Sequence, residues 1–538
     1  MKSSKNAKGP HGGAAGRPGE EGAPAAIPRA LKFVAAAGVV GSLLLAATFF
    51  FYAHALADDY SRGGKVVKYG GLAGAVTWEY HNWSGRWSGF GATALAWSIA
   101  DLTDPAAYRA CIVLWAILFA VSVHVFVCTV LGQKLLGRTG AVLSLSFLSL
   151  YWVGMLSPAE TFYWLSGTAE QHGAAALALL IVSGILLVAR RGATTQAVAA
   201  VGLMALAVVM TGMHELYGLI FCMVLVLGAA LTAWKKTPGR WVWAAVALAT
   251  IGGLIFVIQA PGNFERQKQC RVWLEHWTWR QQLAYTWHFF QGHVRGHLFP
   301  WLIDGRLWAA TLLVLLAPGL AGVRPGWIEN ARIRWRFWIP AVWAAATAAM
   351  FSIPAWATGS DMPARTYNVI YLVLLIAWFL TAFVLGHEWR GRVPAAVSRP
   401  VVLAMLVLWP VGLLSTGNTY RAFQDLTEEQ KVYVSFKATY DRSQRVVVFW
   451  PRDAPSVQMT RVRAFDAQMR WREEHVGREA RDPNGARRIM VPPFQPPAPG
   501  LFLDMRVMDL SANPNYWANR EMADCLGIEA IQTPPRNP

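Results

Sequence analysis

FVAAAGVVGSLLLAATFFFYAHALADDYSR, residues 33–62, decides the class of this chain. About 25 residues, 33–57, pass without Asp, Glu, Lys or Arg, which is longer than a helix needs to cross a hydrocarbon core of about 30 Å. Arg29 and Lys32 flank the start, and an acidic pair, Asp58-Asp59, follows the end directly. The apolar run exceeds a usual signal-peptide core, so it reads as an uncleaved signal anchor with its N-terminal side in the cytoplasm. Residues 1–30 are rich in Gly, Ala, Pro and Lys and read as a disordered cytoplasmic segment.

Working outward, ten further apolar runs follow, at 110–132, 141–156, 173–189, 197–212, 216–234, 241–258, 307–323, 337–353, 367–386 and 401–414. The reading is an α-helical polytopic membrane protein with about eleven spans. Composition agrees: 55% of residues are hydrophobic, 15% are charged, against about 25% in soluble domains, and there are 27 Trp. Lys134 and Arg138, Arg190-Arg191, Lys235-Lys236 and Arg240, Arg332–Arg336 and Arg390–Arg399 all follow even-numbered spans. With the N-terminal side inside, every one of those connections is cytoplasmic. This bias accounts for part of the net charge of +18 without any nucleic-acid partner, and no nucleic-acid module is recognisable.

The opposite connections carry acids, histidines and glycines. Two are large, at 58–108 and 259–306. In the second, Trp273, Trp277, Leu283, Trp287 and Phe290 suggest an amphipathic helix on the membrane surface. Residues 31–417 thus form the transmembrane domain, and 418–538 read as a small extracytoplasmic α/β domain. In that tail a helix is expected within 423–440, strands at 445–450 and 501–510, and a closing helix at 515–526. Of five cysteines, Cys111, Cys128 and Cys222 fall in spans, while Cys270 and Cys525 share the outer side and could pair there.

The residues able to do chemistry collect on that outer side. Asp58 and Asp59, held at a membrane exit, suit a general base acting on a sugar hydroxyl. They can alternatively hold a divalent cation such as Mg or Mn, although no spacing fits a standard metal signature. The plain alternative is a solvated helix end. Arg62, Lys65, Arg86, Arg266 and Arg365 offer donors for a phosphate. Glu160, Tyr163, Trp164, Glu170 and His172 occupy the short connection before the fourth span, where aromatics beside carboxylates suit sugar binding. His214-Glu215 interrupts two apolar runs, and Trp83 stands near Arg86. There is no phosphate-binding P-loop and no nucleophile elbow.

Asp58-Asp59-Tyr60, Trp83-Ser84-Gly85-Arg86-Trp87, 158–167, Pro261-Gly262-Asn263 with Arg266, and 513–527 together resemble the GT-C class of integral membrane glycosyltransferases, in particular a bacterial branch of multi-span envelope proteins. The resemblance implies a GT-C-like fold in the bacterial inner membrane with a periplasmic tail domain. It implies inverting transfer of a sugar from a polyprenyl-phosphate donor to an envelope glycan, lipid or protein, with Asp59 or Asp58 as base. It implies Arg86, Arg266 and Arg365 as phosphate or substrate ligands, and Glu160, His172, His214, Glu215, Trp83, Tyr163 and Trp164 as pocket residues. Two other expectations stay open: a polymerase or ligase of lipid-linked glycans, and a non-catalytic transporter or assembly protein.

Overall fold

The computed structural model describes residues 28–533 apart from 271–276, 322–334, 359–361, 390–391, 433–435, 442, 444, 452–456, 483–485, 492–511, 513–516 and 527. Among the described residues, nine helices are long and apolar enough to cross a membrane, and a tenth crossing arises if one bent pair is a single span. The protein is a helical polytopic membrane protein.

The first long helix, α1 (Arg29–Phe49), leads through a turn of 3-10 helix into α2 (Ala57–Lys68), α3 (Leu72–Asn82) and α4 (Trp87–Ile99). These three short helices fill the first large connection. Next comes α5 (Pro105–Leu131), whose limits the sequence sets locally. Asp104 accepts hydrogen bonds from the backbone N–H of Ala106 and Ala107, Pro105 needs no N–H partner in the first turn, and Gly132 ends the helix at φ 63°. Then follow α6 (Arg138–Gly154), α7 (Leu165–Val188), α8 (Ala193–Met213), α9 (Glu215–Trp234) and α10 (Arg240–Ile258). The second large connection holds α11 (Pro261–Cys270) and α12 (Trp279–Leu302). The bundle closes with α13 (Gly305–Ala321), α14 (Trp335–Thr358), α15 (Ala364–Glu388) and α16 (Ala395–Ser415).

Small residues bring helices together where the bilayer supplies no hydrophobic drive between them. A Cβ on Gly38 of α1 would lie 2.3 Å from Cβ of Pro410 on α16, and one on Gly253 of α10 would lie 2.4 Å from Oγ1 of Thr211 on α8. Each glycine therefore marks a close crossing.

The structure departs from the sequence reading in several places. The third expected span, 141–156, is a 17-residue helix, shorter than the nine. The fourth begins earlier than expected: Leu165 already opens α7, and Ala159–Tyr163 and Thr168–His172 are turns of π-helix. The supposed loop at 157–172 is thus mostly helical and buried, with Glu160, Ser166 and Glu170 held by Arg365, Asp59, Arg62 and Arg86 from other elements instead of by water. The amphipathic stretch forms α12, which packs on α14: Gln282 Nε2 donates to the Trp356 carbonyl at 2.7 Å. Trp279, Leu283 and Trp287 stay on its exposed side. α12 bends by 52° into α13. Residues 273 and 361 lie outside the described residues.

After α17 (Gly417–Thr427) the tail forms strand β1 (Glu429–Val432), so the helix expected within 423–440 stops at Thr427. β1 pairs antiparallel with β4 (Val457–Thr460). A second sheet runs β2 (Phe436–Asp441), β3 (Val446–Pro451), β5 (Arg488–Met490), β6 (Ala530–Gln532), antiparallel across its first pair and parallel across the other two. Two helices serve these sheets, α18 (Arg461–Arg481) and α19 (Trp517–Leu526). The small core of the larger sheet comprises Val447, Phe449, Val476, Ile489, Val491 and Ile531 among others. The strand expected at 501–510 and the Cys270 side chain, hence its pairing with Cys525, lie outside what is described.

Candidate functional site

One end of the bundle gathers the C-terminal ends of α1, α8 and α10 and the N-terminal ends of α5, α7, α9 and α15. Charged side chains from these ends link into a row. On α2, Arg62 donates through Nη2 to Glu170 Oε1 and through Nη1 to Thr93 Oγ1 at 2.6 Å. Arg86, just before α4, donates through Nη1 to Glu170 Oε2 at 3.0 Å and through Nε to Glu215 Oε2. Arg266 on α11 donates to Glu215 Oε1 at 3.1 Å. The row therefore reads Arg62, Glu170, Arg86, Glu215, Arg266. It holds three guanidiniums and two carboxylates, so it has one positive charge to spare.

Backbone contact builds this row. A Cβ on Gly85 would lie 2.2 Å from the Val257 carbonyl, and one on Gly262 would lie 2.5 Å from the Trp83 amide nitrogen. Asn263 Oδ1 accepts from the Gly85 N–H at 3.1 Å. The glycines of Trp83–Trp87 and of Pro261–Asn263 let two distant stretches meet backbone to backbone, which brings Arg86 and Arg266 to the same Glu215. On the other side, Gly89 lies against the Met213 carbonyl and the Glu170 side chain.

A second arm approaches the row. Arg365 donates from its backbone N–H (3.1 Å) and from Nη1 (3.3 Å) to Glu160 Oε2, and its guanidinium lies 5.2 Å from the centre of a Trp164 ring. His214 is buried between the arms and lies within electrostatic reach of Arg86, Glu215, Glu170 and Arg365. The side chains of Arg266 and Arg365 each remain 25% exposed, so both keep donors available to a ligand.

The two aspartates differ sharply. Asp59 is fully buried. Its Oδ2 accepts from the Leu56 N–H at 3.2 Å and the Tyr108 hydroxyl at 2.8 Å. Its Oδ1 accepts from the Ser166 N–H at 3.0 Å and the Ser166 hydroxyl at 2.5 Å. Burial pushes the Asp59 carboxyl up to about 6, against the opposing pull of Ser166, Tyr108 and Leu56. With four donors already on two oxygens, Asp59 fixes the start of α2 to α5 and α7. Asp58 is half-buried one turn before Arg62 and close enough to interact with that guanidinium. Beyond it, Lys65 donates to Glu79 at 3.1 Å, and burial holds the Glu79 carboxyl above its ordinary value.

The structure thus joins Asp58, Arg86, Arg266, Glu215, His214, Arg365, Glu160 and Trp164 in one region. Three expected pocket residues stand apart. His172 is buried in the bundle, stacked 4.2 Å from Phe119. The Tyr163 hydroxyl donates to the Ala46 carbonyl on α1 and accepts from Trp152 Nε1, a structural tie. Trp83 is 40% exposed at the rim. Tyr108 and Ser166, which hold Asp59, escaped the sequence reading, as did the clasp of His54 by the tail. Tyr108 follows the Asp104-Pro105 helix start by one turn, which is the signal that could have placed it at this end.

No group of three or more His, Cys, Asp or Glu among the described residues could hold a metal ion. Glu160, Glu170 and Glu215 are each engaged by arginine instead. Compared with protein-family models, curated proteins and solved structures, the chain matches none of them.

Proposed function

We propose that this protein is a GT-C-type glycosyltransferase of the bacterial inner membrane, with about eleven spans and its charged end and tail domain on the outer face. The observation that carries the reading is the row of arginines bridged by Glu170 and Glu215 beside Asp58. Such a row offers planar, bidentate donors to a phosphate at the end of a lipid-embedded bundle. The donor is then a polyprenyl-phosphate sugar, and the acceptor an envelope glycan, lipid or protein.

In this reaction Asp58 takes the proton of the acceptor hydroxyl, and the oxygen bonds to the anomeric carbon of the donor sugar from the face opposite the phosphate. The bond from that carbon to the phosphate oxygen breaks, and the lipid phosphate leaves with the electron pair. Arg266 and Arg365 meet the added negative charge, while Arg86 holds the two glutamates that aim its neighbours. The connections rich in Lys and Arg lie at the other end of the helices, which supports an outward-facing site.

The test compares envelope glycans and lipid-linked sugars by mass spectrometry in a deletion strain rescued by wild type or by Asp58→Asn. The expected result is normal abundance of the variant with a missing sugar and accumulated lipid donor. A wild-type glycan profile from Asp58→Asn removes Asp58 as the base, and an unchanged profile in the deletion strain removes the transferase reading.

A further inference from the structure

The end of the bundle opposite the arginine row carries charge that the proposed site does not use. Arg190 and Arg191 stand in the turn between α7 and α8, and Lys235, Lys236 and Arg240 mark the turn between α9 and α10. The 20 residues of α9 place that second turn about 30 Å from Glu215. A bias of single basic loops to one side of a membrane is general. Here two basic turns are built into one surface.

A Cβ on Gly239 would lie 2.6 Å from Cα of Ala189, so the turns meet backbone to backbone. The buried Gln196 clips them together. Its Nε2 donates to the Ala189 and Arg191 carbonyls, at 3.1 and 2.9 Å, and its Oε1 accepts from Nε1 of Trp241 at 2.6 Å. The Lys236 and Thr237 N–H groups donate to the Ala233 and Thr232 carbonyls and close the end of α9. This closure sets Lys236 at φ 51°, a left-handed position that glycine usually takes at a helix end. A cation thus stands where a glycine would fit with less strain.

The charge on this surface is unanswered. No Asp or Glu occurs between Glu170 and Glu215 or between Glu215 and Glu265, and those three glutamates lie at the other end of the bundle. Among the described residues none of the five cations pairs with a carboxylate, whereas Arg336, at the start of α14, pairs with Glu388 at 2.6 Å. Arg190, Arg191, Lys236 and Arg240 are exposed. Two indoles flank them. Trp234 is 67% exposed with the Lys235 ammonium 3.9 Å from its ring centre, and Trp241 is 42% exposed. Exposed indoles beside cations at the end of a spanning helix belong to the headgroup layer.

An anion held in that layer, with apolar chains beside it, is a phospholipid. A single phosphate would need only one of the turns. The joined turns offer two sets of donors, the planar forks of an arginine pair and the ammonium groups of a lysine pair. We infer that they form a site for an anionic phospholipid with two phosphate groups, one at Arg190-Arg191 and the other at Lys235-Lys236 with Arg240. The inference needs only the membrane-spanning helices and stands apart from the proposed reaction.

The test titrates the full-length protein in dodecyl maltoside micelles with cardiolipin or phosphatidylglycerol, and native mass spectrometry reads the bound lipid. Wild type should bind cardiolipin at least about tenfold more tightly than phosphatidylglycerol. The double variants Arg190→Gln/Arg191→Gln and Lys235→Gln/Lys236→Gln should each lose that advantage. Lys134→Gln/Arg138→Gln removes the same charge from the turn between α5 and α6 and should keep it. If a double variant does not insert, Arg191→Gln and Lys236→Gln singly carry the same comparison. Equal affinity of wild type for the two lipids overturns the site. So does full advantage in either double variant, or its complete loss in the Lys134/Arg138 control. Displacement of cardiolipin by an equimolar amount of inorganic pyrophosphate overturns the assignment to a lipid.

Discussion

Asp58 and Asp59 are neighbours of the same type, yet their surroundings give them opposite work. Asp59 accepts four hydrogen bonds in a dry interior, so Asp59→Asn places an amide N–H₂ against donors from Leu56, Tyr108 or Ser166. The expected loss is about 1–3 kcal/mol of stability, read as a lower unfolding temperature. Asp58 makes no side-chain hydrogen bond among the described residues, so Asp58→Asn should leave that temperature unchanged while abolishing the proposed transfer. A stable, inactive Asp59→Asn with an active Asp58→Asn would reverse the assignment. Arg86→Ala leaves Glu170 with Arg62 alone and Glu215 with Arg266 alone, and should lower the unfolding temperature more than Arg266→Ala, which removes a single carboxylate contact. Equal unfolding temperatures for the two variants would show that Arg86 is not the keystone of the row. At this scale the sequence supplied the residue types and their shared side of the membrane. It could not supply the pairing, because the partners stand 108, 84, 129 and 51 residues apart.

At the scale of elements, apolar runs were legible because crossing a bilayer demands length and composition at once. The short elements were not. Residues 157–172 looked like a loop, since Glu160, Glu170 and His172 read as solvent-loving. The structure turns them inward, with π-turns that re-aim side chains within a helix. The tail helix after Gly417 was overextended because residues past Thr427 have no strong period, and only pairing with β4 and β3 decides that they are strands. The close approach of residues 83–87 to 261–263 was visible only as two glycines. Gly85→Ala should force Val257 or Asn263 to move, separate Arg86 from Arg266, and lower transfer at least tenfold with the spans still inserted. A glycan assay beside a membrane-fraction blot reads both. Full activity would mean that this contact does not set the row.

Across the whole molecule, the tail is tied to the bundle through a histidine. His54 Nδ1 lies 2.8 Å from Glu473 and Nε2 lies 3.0 Å from Asp466, both on α18, and Arg109 of α5 donates to the same Asp466. Arg470 also pairs with Asp466. Both ring nitrogens can donate only in the imidazolium. Burial pulls the His54 pKa down, but Asp466 and Glu473 outweigh it and hold it above the ordinary 6.5. A raised histidine stabilises docking fully below pH 6.5, and that contribution is lost as pH rises through the folded-state value. Hydrogen exchange of α18 should therefore quicken on going from pH 6 to pH 9 more than base catalysis of exchange explains. In His54→Phe that extra change should vanish. Persistence of the pH response in the variant would place the titrating group elsewhere.

Gly63 and Gly64 of α2 lie against Cys525 and Asp524 of α19, close enough that a Cβ on Gly63 would sit 3.1 Å from the Cys525 sulfur. α2 carries Asp58 and Arg62 and follows the first described span, whereas α19 is translated after the last described one. The charged end of the bundle is therefore complete only once α19 has been made. A chain stopped at Met490 should insert its spans and yet stay silent, and adding residues 491–533 as a separate polypeptide should restore turnover. Under the proposed transfer reaction this order would act as a timer, in which a half-built chain embedded in the membrane is unable to spend donor lipid.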